Sequence, residues 1–213
     1  QSVDEIFTAY RNLEPEVLVL DVVLAGQNVV TTLRKGFPGI RIVMSYEPIH
    51  AQRVLPALAH GALDAVKKPF DGSDLFDALW HAVQVEPGSF DETKRRTGRI
   101  RLELPVEFRG SAAGLFARGV QGKVGDLSSE GLCLRTDREL EPGEKVRLRI
   151  QLGEDIGEVH LKAFVANRRE TDGTLKEYGL EFRDLADRVK KRIESYLLEH
   201  LSGMTDHPSR PEE

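Results

Sequence analysis

The sequence predicts two units of different class. The first is α/β, built on a partial doubly wound parallel sheet. The second is all-β, a six-stranded antiparallel barrel with a C-terminal helix. Three observations carry this reading. Up to residue 83, short runs that are apolar on both faces alternate with helical stripes. Residues 84–93 (Gln-Val-Glu-Pro-Gly-Ser-Phe-Asp-Glu-Thr) then have linker composition. Beyond them the hydrophobic period falls to two.

Ile6, Phe7, Tyr10 and Leu13 recur at helical spacing, and Pro15 ends that helix. Residues 17–20 (Val-Leu-Val-Leu) suit a buried parallel strand, which is apolar on both faces. Gly26 marks a loop, and Val29, Val30 and Leu33 a second helix that stops near Gly36 and Pro38. Residues 40–44 form a second buried strand. Val54, Leu55 and Leu58 form a third helical stripe ended by His60 and Gly61, and residues 62–66 a third short strand. Leu75, Phe76, Leu79, Trp80 and Val83 close the unit as an amphipathic helix. Strands separated by helices of this length imply right-handed crossovers in a parallel sheet.

In the second unit Ile100, Leu102, Leu104, Val106 and Phe108 alternate with polar residues or proline. Val146, Leu148, Ile150 and Leu152 do the same, as do Val159, Leu161, Ala163 and Val165. Shorter strands fit 119–125, 131–136 and 177–182. Six strands punctuated by Gly and Pro predict a small barrel. Val189, Ile193, Tyr196, Leu197 and Leu201 mark a helix that closes or flanks it. The expected boundaries are 1–83, a linker at 84–93, a barrel with helix at 94–201 and a disordered tail at 202–213.

Composition removes several function classes. At 213 residues the chain has room for two modest domains. Its net charge of -5 opposes bulk nucleic-acid binding, which needs a broad basic face, so no direct nucleic-acid binding is expected. The single cysteine, Cys133, excludes an internal disulfide and a cysteine-rich zinc cage. It fits a reducing compartment, and a cytoplasmic location is expected. No apolar stretch approaches membrane-spanning length, so no membrane insertion is expected. No signal peptide is visible, and the chain begins at Gln1 without an initiator Met, which points to a missing natural N-terminus. The six His residues are scattered without ligand spacing, and there is no nucleophile–base pair or phosphate-cradling glycine loop. The expectation is a sensor or adaptor, not an enzyme.

Two segments carry chemistry. Residues 94–101 (Lys-Arg-Arg-Thr-Gly-Arg-Ile-Arg) hold five positive charges and no acid. A guanidinium is a planar fork that takes two phosphate oxygens at once, and its face stacks on a base. Residues 126–131 (Asp-Leu-Ser-Ser-Glu-Gly) offer a carboxylate, hydroxyls and a glycine. On an extended segment Asp126 and Ser128 face the same way. A carboxylate accepts from the N1 and N2 donors of guanine, and Ser128 gives or takes a further bond. Gly131 permits positive φ or the close approach of a ligand.

Together, Arg95-Arg96-Thr97-Gly98-Arg99 and residues 126–131 resemble the RxxxR and (D/N)xSxxG motifs of PilZ domains, over residues 92–201. Such domains are six-stranded barrels that bind the bacterial second messenger cyclic di-GMP. The resemblance implies that Arg95 and Arg99 hold phosphates and guanine faces, with Arg96 auxiliary. It also implies that Asp126, Ser128 and Gly131 line the base site. Arg168, after the long strand, is a further ligand candidate.

The first unit resembles a truncated or degenerate response-regulator receiver domain over residues 2–83. Asp21, Ser45 and Lys68-Pro69 end three neighbouring strands, and ligand chemistry in open parallel sheets sits at such ends. The resemblance implies that Asp21 is the phosphoacceptor, that Ser45 contacts the phosphoryl group and that Lys68 neutralises it. The family's first strand, first helix and second strand are not found here, nor is the acid pair that seats Mg²⁺. The family's switch aromatic falls at Ala65. No metal is therefore expected, and strand 17–21 becomes an open edge with Phe76 and Trp80 uncovered beside it. Such edges are rarely left bare, so a homodimer through this half is expected.

The sequence thus reads as a bacterial cyclic di-GMP receptor or adaptor with an unknown downstream protein partner. Two rival readings are a ligand-free PilZ interaction module and a phosphotransfer response regulator that uses Asp21. A transcription factor would need a helix-turn-helix pattern or basic recognition helix, and neither is visible.

Overall fold

A computed structural model of the chain describes residues 3–25, 27–86, 97–110, 119–169 and 175–203. It divides into two compact units, residues 1–98 and 99–213. The expected loop glycine Gly26, most of the expected linker and residues 204–213 of the expected tail lie outside the described residues.

The first unit is a three-stranded parallel sheet in the order β1-β2-β3, with β1 Leu18–Asp21, β2 Ile42–Tyr46 and β3 Asp64–Lys67. Its helices are α1 Val3–Leu13, α2 Gln27–Gly36, α3 Val54–Ala59 and α4 Gly72–Gln84. A 3₁₀ turn at Pro48–Arg53 leads into α3. Acids at the start of α1 and Arg11 at its end suit the helix dipole, and Phe7 and Tyr10 pack on Phe37. Arg34 is buried at the end of α2, where its guanidinium donates to the carbonyls of Ile40 (3.1 Å) and Gly61 (3.2 Å). Asp71 caps α4 by accepting from the Asp74 amide at 2.9 Å. That amide and the Ser73 hydroxyl hold its carboxyl below the ordinary value.

All of β2 is buried, as the apolar run predicts. Val43 and Val66 pack under Ala78 and Ala82 of α4. By register, Val19 of β1 shares the face of Val43, yet α4 does not reach it: Val19 is 39% exposed. Phe76 and Trp80 are 62% and 58% exposed and stack on each other at 6.1 Å. The open edge and uncovered aromatic pair are as the sequence implies.

The second unit is a closed antiparallel barrel in the order β4-β5-β6-β9-β8-β7. Its strands are β4 Ile100–Gly110, β5 Val120–Leu127, β6 Gly131–Thr136, β7 Lys145–Gln151, β8 Glu158–Arg169 and β9 Lys176–Arg183. Closure leaves no unpaired edge. The period-two residues fill the interior: Val106, Phe108, Leu134, Leu148, Leu161 and Leu180 are all buried. A short α5, Gly153–Ile156, precedes β8, and α6, Asp187–Ser202, buries Ile193, Tyr196, Leu197 and Leu201. Arg192 of α6 donates to the carbonyls of Ile156 and Glu158, and Gly203 ends the helix at φ 72°. No helix among the described residues is long and apolar enough to cross a membrane.

Candidate functional site

Antiparallel pairing brings the two sequence motifs to one end of the barrel. Arg99 enters β4, and Asp126 is the penultimate residue of β5, opposite Arg101. Leu127 points inward and is fully buried, so Asp126 faces out. The Arg99 guanidinium donates to the Asp126 carboxylate at 3.2 Å, with both side chains only partly exposed. The run before Thr97 places Arg95 and Arg96 outside the described residues.

Ser128 begins the turn from β5 to β6, and its side chain is spent on that turn. The hydroxyl accepts from the amides of Glu130 (3.3 Å) and Gly131 (3.1 Å) and donates to the Gly131 carbonyl (3.2 Å). It is 1% exposed. The Glu130 carbonyl accepts from Phe182 at 2.8 Å, which ties the turn to β9. Extended geometry predicts that Ser128 and Asp126 face the same way. Instead, the chain has left the strand at Ser128, and its hydroxyl closes the loop that sets the Asp126 backbone. Gly131 has no positive φ. Any Cβ there would collide with the Leu180 carbonyl of β9, so the close approach that requires glycine comes from a neighbouring strand.

Across the barrel wall the register continues the Asp126 row. Asp126 stands opposite Cys133 on β6, Cys133 opposite Gly179 on β9, and Gly179 opposite Asn167 on β8. The Asn167 side-chain oxygen would lie 2.5 Å from a Cβ on Gly179. Cys133 and Gly179 thus lie between Asp126 and Asn167 in one register row, with Cys133 buried and its thiol donating to Glu177 at 3.7 Å. Arg168 belongs elsewhere. It shares the register position of Tyr178, which fills the barrel, and pairs with Glu139 at 3.3 Å. Lys176 and the Tyr178 hydroxyl meet the same Glu139. The sequence does not single out Asn167 or Gly179, which the register adds to this row. The signal was a glycine at an outward position of a period-two strand, which marks close approach.

The first unit gathers its three expected groups at the C-terminal ends of the strands. Asp21 is opposite Ser45, which is buried. Lys68 follows β3, with a cis peptide to Pro69. The Lys68 ammonium pairs directly with the Asp21 carboxylate, whose other oxygen accepts from the Val23 amide at 2.7 Å. Burial pushes the Asp21 carboxyl up. The Lys68 hydrogen bond, the Val23 amide and the charges of Lys68 and His50 outweigh it and leave the group below its ordinary value. Among the described residues no group of three or more His, Cys, Asp and Glu is placed to hold a metal ion.

The family model of the PilZ domain matches residues 93–199. Several solved structures are similar to parts of the chain. The Bacillus subtilis inhibitor of motility (MotI/DgrA) is 15% identical with a TM-score of 0.41, covering 50% of this chain and 54% of its own. The chain thus spans about half the length of that protein. The PilZ domain of Escherichia coli YcgR with c-di-GMP is 16% identical with a TM-score of 0.43, covering 52% and 93%. The receiver domain of Brucella abortus NtrX is 22% identical with a TM-score of 0.37, covering 39% and 74%, and it matches the N-terminal part. No curated protein matches the chain.

Proposed function

The chain belongs to the PilZ domain family, and from that premise we propose that it is a cyclic di-GMP receptor and adaptor that relays the ligand's presence to a protein partner. The observation that carries this is the meeting of Arg99 and Asp126 at 3.2 Å on the outer end of the barrel. A guanidinium for phosphate or a base face and a carboxylate for a guanine edge thereby occupy one small surface. Arg95 and Arg96, immediately upstream, add two more cations to the phosphate side. Asp126 selects guanine, while Ser128 and Gly131 hold the turn that presents it. The Asn167 amide bounds the far side of the same row. Arg168, paired with Glu139, takes no part in this assignment. The reading involves no catalytic step and no resident metal.

Titration calorimetry with cyclic di-GMP tests the reading and gives stoichiometry together with affinity. Cyclic di-GMP is expected to bind more tightly than GTP or cyclic AMP. Its affinity is expected to fall with added salt, because arginine–phosphate contacts are charge-assisted. No heat at high micromolar ligand would defeat it.

A further inference from the structure

Outward positions on β4, β7, β8 and β9 bring four cations into one line. Arg109 stands opposite Arg147, Arg147 opposite Lys162, and Lys162 opposite Arg183. All four are exposed. With strands about 4.8 Å apart, three gaps give a row on the order of 14 Å long. Like charges directly opposite each other destabilise a sheet, so this row sets three unfavourable neighbours in succession. The next row does not: Glu107 stands opposite Arg149 and pairs with it at 3.1 Å.

The row's ends are ion-paired within their own strands, Arg109 with Glu107 at 3.3 Å, a carboxylate it shares with Arg149, and Arg183 with Glu181 at 3.0 Å. Its centre is not: neither Arg147 nor Lys162 forms an ion pair with a described residue. Beside the centre, Phe164 holds Lys145 at 5.8 Å and the row's own Arg183 at 5.5 Å from its ring, so an aromatic face and one further cation adjoin the unpaired pair.

We propose that this row is the docking face for an acidic segment of a protein partner. Carboxylates at i and i+4 of a helix lie about 5–6 Å apart, close to the strand spacing, so a helix laid across the strands meets cation with carboxylate. A phosphate lattice or an anionic bilayer fits less well. Both are negative throughout and would meet Glu107 and Glu181 at the row's ends, on a chain whose net charge is -5. The inference deepens the adaptor reading and rests on it only for the link between ligand and partner.

The probe is a labelled helical peptide with glutamates at i and i+4, followed by fluorescence anisotropy with the full chain at low salt. Arg147→Glu with Lys162→Glu is expected to weaken binding by at least about tenfold, and the neutral pair Arg147→Ser with Lys162→Ser by a smaller factor. Lys191→Glu, an exposed reversal on α6, is expected to leave it within about twofold, since α6 contributes no residue to the row. Thermal melts check that each variant folds; if the reversed pair does not, the neutral pair decides. Equal peptide binding by the wild type and the variants that fold overturns the proposal. So does binding to phosphatidylglycerol vesicles or duplex DNA that the variants lose while the peptide fails to bind. Cyclic di-GMP is titrated into the same samples. A chain that binds peptide but no cyclic di-GMP overturns the receptor reading and leaves this one standing.

Discussion

Arg99 and Asp126, one from each motif, neutralise each other at 3.2 Å. A ligand that uses both must therefore replace or share an existing ion pair, so each contact brings less than it would from a free side chain. Charged hydrogen bonds contribute about 1.5–3 kcal/mol, and Arg99→Ala is expected to weaken cyclic di-GMP binding about tenfold or more. Asp126→Ala acts differently. It frees Arg99 for phosphate while removing the acceptor for guanine, so discrimination between cyclic di-GMP and cyclic di-AMP is expected to collapse further than affinity does. Paired calorimetric titrations measure both. Wild-type selectivity in Asp126→Ala would remove that carboxylate from base recognition.

The turn that presents Asp126 should respond in stability before it responds in binding. Ser128→Ala leaves two amides of a buried turn without their acceptor, an expected loss of about 1–3 kcal/mol. Gly131→Ala forces β6 away from the Leu180 carbonyl and should lower the melting temperature further. An unchanged melting temperature in both would show that the turn is not held as described.

How far the sequence discloses this protein follows from what each signal encodes. Strand and helix identity is legible because burial imposes its period directly on residues such as Val146, Leu148 and Ile150. The expected ends slip by one to a few residues, as at β1 and β8, where pairing outlasts the apolar pattern. The two motifs are legible as neighbours, since Arg99 and Asp126 meet. The role of Ser128 is not, because spacing alone cannot tell a strand residue facing a ligand from a turn residue bonding its own backbone. The Asn167 position is illegible for another reason. Its relation to Asp126 runs through three strand registers, and a bulge lies between Val165 and Asn167. That bulge decides which of Asn167 and Arg168 falls in the Asp126 row.

Alkaline pH offers a test of the first unit's core. The buried Tyr46 phenol is pushed up to about 12, first by burial and then by the Asp64 carboxylate. An unfolded tyrosine ionises near pH 10. Between these values the folded chain keeps a proton that the unfolded chain has released, so stability falls as pH rises from about 10 to about 12. Urea unfolding across this window should show the fall, and Tyr46→Phe should flatten it. Matching profiles for the two proteins would assign the alkaline loss to other groups.

Asp21 is expected to resist phosphorylation. Its carboxylate is already paired with Lys68, and among the described residues no acid pair accompanies it to seat the Mg²⁺ that phosphoryl transfer requires. Incubation with acetyl phosphate and Mg²⁺ should leave the intact mass unchanged. A gain of one phosphoryl group, lost in Asp21→Asn, would refute this and favour the phosphotransfer reading.

The uncovered face of the first unit predicts self-association. Val19 on the edge strand and the stacked Phe76 and Trp80 on α4 are all exposed, and fully burying one such side chain stabilises by roughly 1.5–3 kcal/mol. The outward backbone groups of β1 add an unpaired strand edge to the same face. A two-fold pairing satisfies both at once, because one patch then serves as its own partner, and C₂ dimers are the commonest soluble assembly. Light scattering at micromolar concentration is expected to report a homodimer, and Trp80→Glu a monomer, since the substitution would bury a carboxylate in the interface. The variant should keep its affinity for cyclic di-GMP, because Arg99 and Asp126 belong to the other unit. A monodisperse wild-type monomer would mean that the exposed face does not drive association. A dimer that survives Trp80→Glu would place the interface away from α4.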